Sequence, residues 1–321
     1  MNSNPYQYQL KDRLWIGPEA GAFGFFFDAG MQQSAVNWRV PQDLRDGYFD
    51  ISRAVDQPTE LTKRIRVRNI QNVEFDMEVA REVRRIDSAG VAEWLGFPLE
   101  NELFCCATES INTLKNCGTS RWKKESGLPH LWVLGQFTTG RRCWVAAPFT
   151  RNAAKNDTTP IYNDLYFGKI PPDRIRIHNN TVFMLADGTK VTKFGLSPLR
   201  STGRAGAFDP DLGMLTIVGF DIDRGAVYAN NLWENNMIGT GPSAGAFGGD
   251  VFQTYNSGDS SFFELESVSP VRELEPEELL IHKHQTYLFQ GSAAALSRIS
   301  ISALGVDVVD AFRSHPAIHS S

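Results

Sequence analysis

The chain of 321 residues carries 32 basic and 37 acidic side chains, which gives a formal net charge of −5 at pH 7. This mild acidic excess contains no basic block, so nucleic acid is not expected as the main partner. With 42% hydrophobic and 21% charged residues, the composition is that of a folded globular protein rather than a disordered one. Apolar runs such as Phe23 to Phe27 are far shorter than the roughly 20 residues of a membrane-spanning helix, so we predict no membrane span.

The cysteines and the N-terminus carry information about the cellular compartment. The four cysteines form no CxxC motif and do not have zinc-ligand spacing, so we predict buried free thiols at Cys105, Cys106, Cys117 and Cys143. The first ten residues are polar and contain no apolar core of a signal peptide. The chain as given is therefore predicted to be cytoplasmic.

Two neighbouring segments alternate between apolar and charged residues with a period of two, which is typical of half-buried strands. Residues Lys63 to Asn69 place arginines opposite an apolar face, and residues Val73 to Val79 place carboxylates opposite another. Basic and acidic rows on adjacent strands favour cross-strand ion pairs. Further strands are predicted at Gly24–Phe27, Leu131–Phe137, Arg142–Pro148, Arg174–His178, Thr181–Leu185, Leu215–Phe220, Phe262–Ser267 and Thr286–Phe289.

Helical signals are few. One short helix is predicted from Ser88, closed by Gly96, and residues 292–321 are predicted to form a helical C-terminal tail that is interrupted near Gly305. No alternation of strands and helices is present. The sequence therefore predicts an all-β fold in which two antiparallel sheets pack as one domain over residues 1–321.

Several functional motifs can be set aside. The glycine-rich segment from Gly239 to Gly249 lacks dinucleotide-loop spacing, and the chain has neither a Walker A sequence nor a GxSxG elbow. His282 and His284 share one strand face and could bind a metal, but solvated surface histidines are the more common case. Asp250 and Asp259 lie in carboxylate-rich loops without calcium-ligand spacing. We therefore expect no metal and no cofactor.

Ionisable residues inside aromatic strands are better candidates for a site. Glu264 and Glu266 occupy alternate positions of one strand and hence share a face, where each would raise the pKa of the other if buried. Arg13, Trp15 and Glu19 are grouped before a glycine-rich turn and offer a sugar a stacking surface and hydrogen-bonding groups. A solvent-facing strand edge and a structural salt bridge are the alternatives.

The C-terminal third resembles the closing strands of galactose mutarotase-like proteins, over residues 262–291 (FFELESVSPVRELEPEELLIHKHQTYLFQG), with Glu277 where glycine is usual. Ordered motifs along most of the chain are similar to those of the DUF6786 family of that superfamily. They are DRLWIGPEAG at 12–21, WKKESG at 122–127, NDLYFGK at 163–169, KFGLSP at 193–198, GDVFQTYN at 249–256 and FELE at 263–266.

The resemblance implies a two-sheet supersandwich and a carbohydrate ligand. It places the superfamily's catalytic glutamate at Glu266, with Glu264 as the alternative, whereas the usual histidine acid is absent from Leu131–Phe137 and His130 only precedes that strand. Lys193, Tyr255 or Arg13 could replace it. The expected catalytic residues are thus Glu266, Glu264 and Lys193, and the expected sugar contacts are Arg13, Trp15, Glu19, Arg200, Asp250, Tyr255 and Asn256.

Family members usually begin earlier, often behind an export signal, so the resemblance implies N-terminal strands before Met1 and, in that case, a periplasmic location. Three functional hypotheses follow. The first is an enzyme that acts on a sugar or uronic acid by acid–base chemistry, for instance as an aldose 1-epimerase. The second is a non-catalytic carbohydrate-binding protein that has lost the histidine acid, and the third is a structural domain. The sequence leaves the oligomeric state open.

Overall fold

The computed structural model describes residues 11–46, 49–51, 58–151, 158–233 and 245–313. Within these ranges the helices are α1 (Gln42–Arg45), α2 (Ser88–Leu95), α3 (Ala293–Leu304) and α4 (Val308–Arg313). The strands are β1 (Lys11–Gly17), β2 (Asp50–Ile51), β3 (Thr59–Arg68), β4 (Glu74–Ile86), β5 (Phe104–Asn116), β6 (His130–Thr138), β7 (Trp144–Pro148), β8 (Ile175–His178), β9 (Thr181–Leu185), β10 (Thr192–Leu196), β11 (Arg204–Asp209), β12 (Met214–Phe220), β13 (Phe252–Asn256), β14 (Phe262–Val268) and β15 (Leu279–Gln290).

The strands form two antiparallel sheets. The small sheet has the order β1-β6-β14-β13-β10, and the large sheet has the order β2-β3-β4-β5-β15-β12-β11-β7-β9-β8. Neighbours in space are often distant in sequence, since β1 pairs with β6 and β5 pairs with β15. The all-β, antiparallel fold class predicted from the sequence is confirmed.

The first core lies between the two sheets. Phe263 and Leu265 on the inner face of β14 belong to one buried cluster with Val67 and Phe75 of the large sheet. Burial of each such side chain contributes roughly 1.5–3 kcal/mol to folding. A polar link also crosses this layer, since Arg81 Nη2 of β4 donates to Asp12 Oδ2 of β1 over 2.6 Å. The small sheet is therefore held by its inner face, which leaves its outer face for a site.

Helices α2, α3 and α4 cover the other face of the large sheet and form a second core. Leu296 and Ile299 of α3 pack into a buried cluster with Phe289 of β15. The cap of α2 is Gly96 with φ 78°, and the cap of α3 is Gly305 with φ 71°. Both values lie in the left-handed region that glycine adopts without strain. The predicted helix closed by Gly96 and the interruption near Gly305 are confirmed.

The strand predictions held with one exception. Arg64 Nε donates to Asp76 Oδ1 over 2.8 Å, which confirms the cross-strand pairing of β3 and β4. The segment Gly24–Phe27 is not a strand, because it follows a 3₁₀ turn and bonds backward, with the Phe25 amide donating to the Pro18 carbonyl over 2.9 Å. Residues 239–244 of the glycine-rich segment from Gly239 to Gly249 lie outside the described residues.

Two surface assignments need correction. His282 and His284 are each only 1% exposed, because they occupy the inward positions of β15 between the two sheets. The hydroxyl of Ser267 lies 2.7 Å from His282 Nε2 and 2.8 Å from His284 Nδ1.

The cysteines are free, as expected, but of the four only Cys143 is fully buried. No helix in the described part of the chain is long and apolar enough to cross a membrane.

Candidate functional site

The outer face of the small sheet brings distant parts of the chain together. Lys193 on β10 is paired in register with Tyr255 on β13, and Tyr255 is paired with Glu264 on β14. Towards the opposite edge of the same sheet, Trp15 of β1 is paired in register with Trp132 of β6. Directly opposed residues on neighbouring strands point to the same face. The alternation within each strand therefore places these side chains in one surface.

A cavity of about 440 Å³ opens on this face. Its volume lies in the range of roughly 300–1,000 Å³ that is typical of small-molecule sites. The wall is largely aromatic and contains Trp15, Trp38, Trp132, Phe167, Trp233, Tyr255 and Phe262. The ionisable groups that line it are Arg13, Glu19, Lys193 and Glu264. Broad aromatic surfaces with a few charged groups can stack on a sugar ring and bind its hydroxyls.

The aromatic wall has two halves. In the first, Trp15 lies 5.7 Å from Trp132 and 6.4 Å from Trp38, measured between ring centroids. In the second, Phe167 lies 5.8 Å from both Trp233 and Tyr255. Trp38, Phe167 and Trp233 come from loops rather than strands, so no periodic pattern marked them in the sequence.

Glu264 reaches the cavity and is ion-paired with Arg13. The guanidinium of Arg13 also lies 4.7 Å from the ring centroid of Trp15. Burial raises the pKa of Glu264 to about 7, repulsion from Glu266 adds to the shift, and Arg13 opposes it. This carboxyl group therefore exchanges its proton near neutral pH, as a general base must.

Glu266 lies beneath the cavity floor and is fully buried. Its Oε2 atom accepts hydrogen bonds from Lys193 Nζ over 2.9 Å and from Trp132 Nε1 over 2.8 Å. Burial alone would lower the pKa of Lys193, but the carboxylates of Glu266 and Glu19 outweigh it, so the pKa of Lys193 is raised. Lys193 is therefore a protonated side chain in the cavity wall, and Glu266 is its anchor.

Glu19 is a buried carboxyl group, 7% exposed, in the wall of the cavity. Trp38 Nε1 donates to Glu19 Oε1 over 2.9 Å, and the backbone amide of Glu19 donates to Asn231 Oδ1 over 3.0 Å. Burial raises the pKa of Glu19, and Lys193 opposes this shift.

Asp250 is placed beside this cavity rather than in its wall. It lines a neighbouring cleft of about 280 Å³ together with Asn163. Asp250 Oδ2 accepts hydrogen bonds from Tyr166 Oη over 2.6 Å and from Asn163 Nδ2 over 2.9 Å. Burial raises the pKa of Asp250 to about 6, although both hydrogen bonds and Lys193 oppose the shift.

Two other predicted sugar contacts lie away from the cavity wall. Arg200 donates to the backbone carbonyls of Thr150 and Pro160, each over 3.3 Å. Asn256 Nδ2 donates to the Lys190 carbonyl over 2.8 Å, and its Oδ1 accepts from the amide of Gly188. The hydrogen bonds of both side chains are therefore made to loop backbone, which they stabilise.

The structure thus brings together part of the predicted site, namely Arg13, Trp15, Glu19, Lys193, Tyr255 and Glu264. Trp132 was missed, although it lies at an alternate position of β6 and pairs with Trp15. His130 is the first residue of β6 and is fully buried, with its ring where a side chain on Gly17 would lie. Burial lowers the pKa of His130 to about 3, so this ring is neutral, and it is not part of the cavity wall.

Among the described residues, no group of three or more His, Cys, Asp or Glu side chains is arranged to hold a metal ion.

Comparison with solved structures gives distant similarities. The Slr1438 protein from Synechocystis sp. PCC 6803 is 14% identical, with a TM-score of 0.47, over 87% of this chain and 78% of that chain. A galactose mutarotase-like protein from Lactobacillus casei ATCC 334 is 11% identical, with a TM-score of 0.47, over 86% of this chain and 84% of that chain.

No curated protein matches the chain. The sequence profile described as a family of unknown function, DUF6786, matches residues 2–314. This match spans nearly the whole sequence, including every strand and helix that forms the two sheets and their helical cover. The chain therefore belongs to the DUF6786 family.

Proposed function

We propose that the protein binds a sugar in the aromatic cavity and interconverts its anomers by acid–base chemistry. The observation that carries the proposal is the position of Glu264, a carboxyl group with a pKa of about 7 in the wall of a cavity lined by aromatic rings. Such a group is matched to proton transfer near neutral pH.

The proposed reaction has two proton transfers. Glu264 removes the proton from the anomeric hydroxyl, the C1–O bond of the ring breaks as the carbonyl forms, and the ring oxygen receives a proton. Lys193 is the proposed donor of that proton, because it is cationic and lines the same cavity. Ring closure on the other face of the carbonyl reverses both transfers and gives the other anomer. Glu266 positions Lys193 through their 2.9 Å contact.

Non-catalytic sugar binding is the second candidate. It is favoured by the ion pair between Arg13 and Glu264, which partly neutralises the proposed base. It is also favoured by β6, whose cavity-facing positions are Trp132 and Leu134 rather than a histidine. In this case the same wall would bind the sugar without proton transfer.

The test is NMR exchange spectroscopy between anomers over a panel of neutral, amino and acidic sugars. We expect exchange above the spontaneous rate, and a loss of roughly 10²–10⁴-fold for Glu264→Gln with nearly unchanged affinity. The matched control is Glu93→Gln, an exposed position on α2, which should keep the parent rate. Binding without exchange supports the second candidate, and absence of both overturns the sugar site.

A further inference from the structure

The charged groups around the cavity do not balance. Three carboxyl groups, Glu19, Glu264 and Glu266, surround two cations, Arg13 and Lys193. Arg13 is ion-paired with Glu264, and Lys193 is ion-paired with Glu266. Asp250, in the adjacent cleft, adds to the acidic excess. One cavity-lining carboxyl group, that of Glu19, is left without a cation in direct contact, since Lys193 acts on it only from beyond ion-pair distance.

Glu19 is buried without an ion-pair partner within 4.0 Å among the described residues. The side-chain donor that reaches it is the neutral indole of Trp38, at 2.9 Å. A buried carboxylate without a cation is costly, and the cost falls when a cation or a proton reaches it. Since Glu19 lines the cavity, a ligand can supply that cation.

The surroundings of Glu19 suit a ligand ammonium group. Trp15, Trp38 and Trp233 line the cavity with it, and aromatic faces attract ammonium groups at about 6 Å or less from the ring centroid. A sugar carboxylate or phosphate would find no unpaired cation among these groups, because Arg13 and Lys193 are already paired with carboxyl groups.

We infer that the cavity takes an amino sugar, and that Glu19 is the specificity-determining residue that pairs with the ammonium group of the ligand. This inference rests on the proposed sugar site and names its substrate class. It requires only binding, so it does not depend on whether the protein also catalyses anomer exchange.

The experiment compares sugars that differ in one substituent. Glucosamine, N-acetylglucosamine, glucose and glucuronate are titrated into the protein by calorimetry, at a pH below the pKa of the sugar ammonium group, and the galactose series is measured in parallel. We expect the amino sugar of at least one series to bind about tenfold or more tightly than its neutral forms, as for a hydrogen bond between charged groups. The uronate should bind most weakly.

The variant Glu19→Gln assigns the residue, with Glu93→Gln, at an exposed position of α2, as the matched control. In Glu19→Gln the ratio between amino and neutral sugar affinities should fall to about one, and in Glu93→Gln it should persist. Persistence of the ratio in Glu19→Gln overturns the assignment. Equal affinities in the parent protein, or tighter binding of the uronate, overturn the amino-sugar inference even if Glu19→Gln does not fold. Absence of all sugar binding overturns both proposals, whereas binding of the amino sugar without exchange overturns only the catalytic one.

Discussion

Lys193 Nζ lies 2.9 Å from Glu266 Oε2, with side chains that are 4% and 0% exposed. The indole of Trp132 donates to the same carboxylate oxygen over 2.8 Å, and the ammonium of Lys193 lies 5.1 Å from the Trp132 ring centroid. The three side chains come from β10, β14 and β6, which are not all adjacent in the sheet. This buried arrangement links the strands below the cavity and fixes one of its charged walls.

Lys193→Met should destabilise the protein by about 3–5 kcal/mol, because it leaves the carboxylate of Glu266 buried and uncompensated. The free energy of unfolding from urea denaturation measures this loss. Lys193→Met combined with Glu266→Leu should recover part of the stability, since both charges are then absent.

The matched control for this loss is an exposed ion pair. In the pair Arg68–Glu74 the side chains are 57% and 46% exposed, so Arg68→Met should cost less than about 1 kcal/mol. Equal losses for Lys193→Met and Arg68→Met would show that burial does not determine the contribution of the Lys193–Glu266 pair.

The rate of anomer exchange should rise with pH through about 7, because Glu264 acts as a base only when it is deprotonated. Arg13 lowers the pKa of Glu264, so Arg13→Met should shift the midpoint of this rise to higher pH. The measurement is the pH profile of exchange, with a carbon NMR titration of the Glu264 carboxyl as a readout that does not need activity. A midpoint that stays in place in Arg13→Met would contradict the coupling.

Three of the histidines that the structure describes, His130, His282 and His284, are buried and should make the fold sensitive to acid. Burial lowers the pKa of His130 and of His282 to about 3 and that of His284 to about 4, from 6.5. The folded state therefore keeps them neutral, whereas the unfolded chain takes up protons below pH 6.5. Their contribution is complete above that pH and is lost as the pH falls, with a slope of about 1.4 kcal/mol per pH unit for each histidine.

Urea denaturation at a series of pH values measures this slope. His284→Asn should reduce it between pH 6.5 and about 4, the interval set by the shift of His284, whatever its effect on stability at neutral pH. The control is His178→Asn at an exposed position of β8, which should leave the slope unchanged. An unchanged slope in His284→Asn would mean that this histidine is protonated in the folded state.

Gly195→Ala should destabilise the protein by about 1–3 kcal/mol, as overpacking does in a filled core. A Cβ atom on Gly195 would lie 2.3 Å from Asp250 Oδ2, the oxygen that Tyr166 and Asn163 hold. Thermal unfolding measures the loss. In the control Gly225→Ala the new Cβ would meet only Asp223 Oδ1 at 3.6 Å, so a similar loss there would rule out the clash as the cause.

The order of residues along the chain by itself indicated many of the strands and the ends of α2 and α3, although Gly24–Phe27, which it also marks as a strand, is not one in the folded protein. Alternation from Lys63 onward predicted the pairing of β3 with β4, where Arg64 and Asp76 meet. Gly96 and Gly305 marked the ends of α2 and α3, because glycine adopts the left-handed conformation without strain. These features depend on local backbone conformation and on a period of two residues, both of which can be read directly from a sequence.

Tertiary packing decided the rest. The strand period places the side chains of Glu264 and Glu266 on the same face of β14. Which of the two glutamates reaches an open cavity depends on the loops that carry Trp38, Phe167 and Trp233. Likewise, the alternation of β15 places His282 and His284 on the same face of that strand, but they are buried because the small sheet covers this face. A period specifies which side chains share a surface. What covers that surface depends on contacts between residues far apart in the chain, and those contacts exist only in the folded protein.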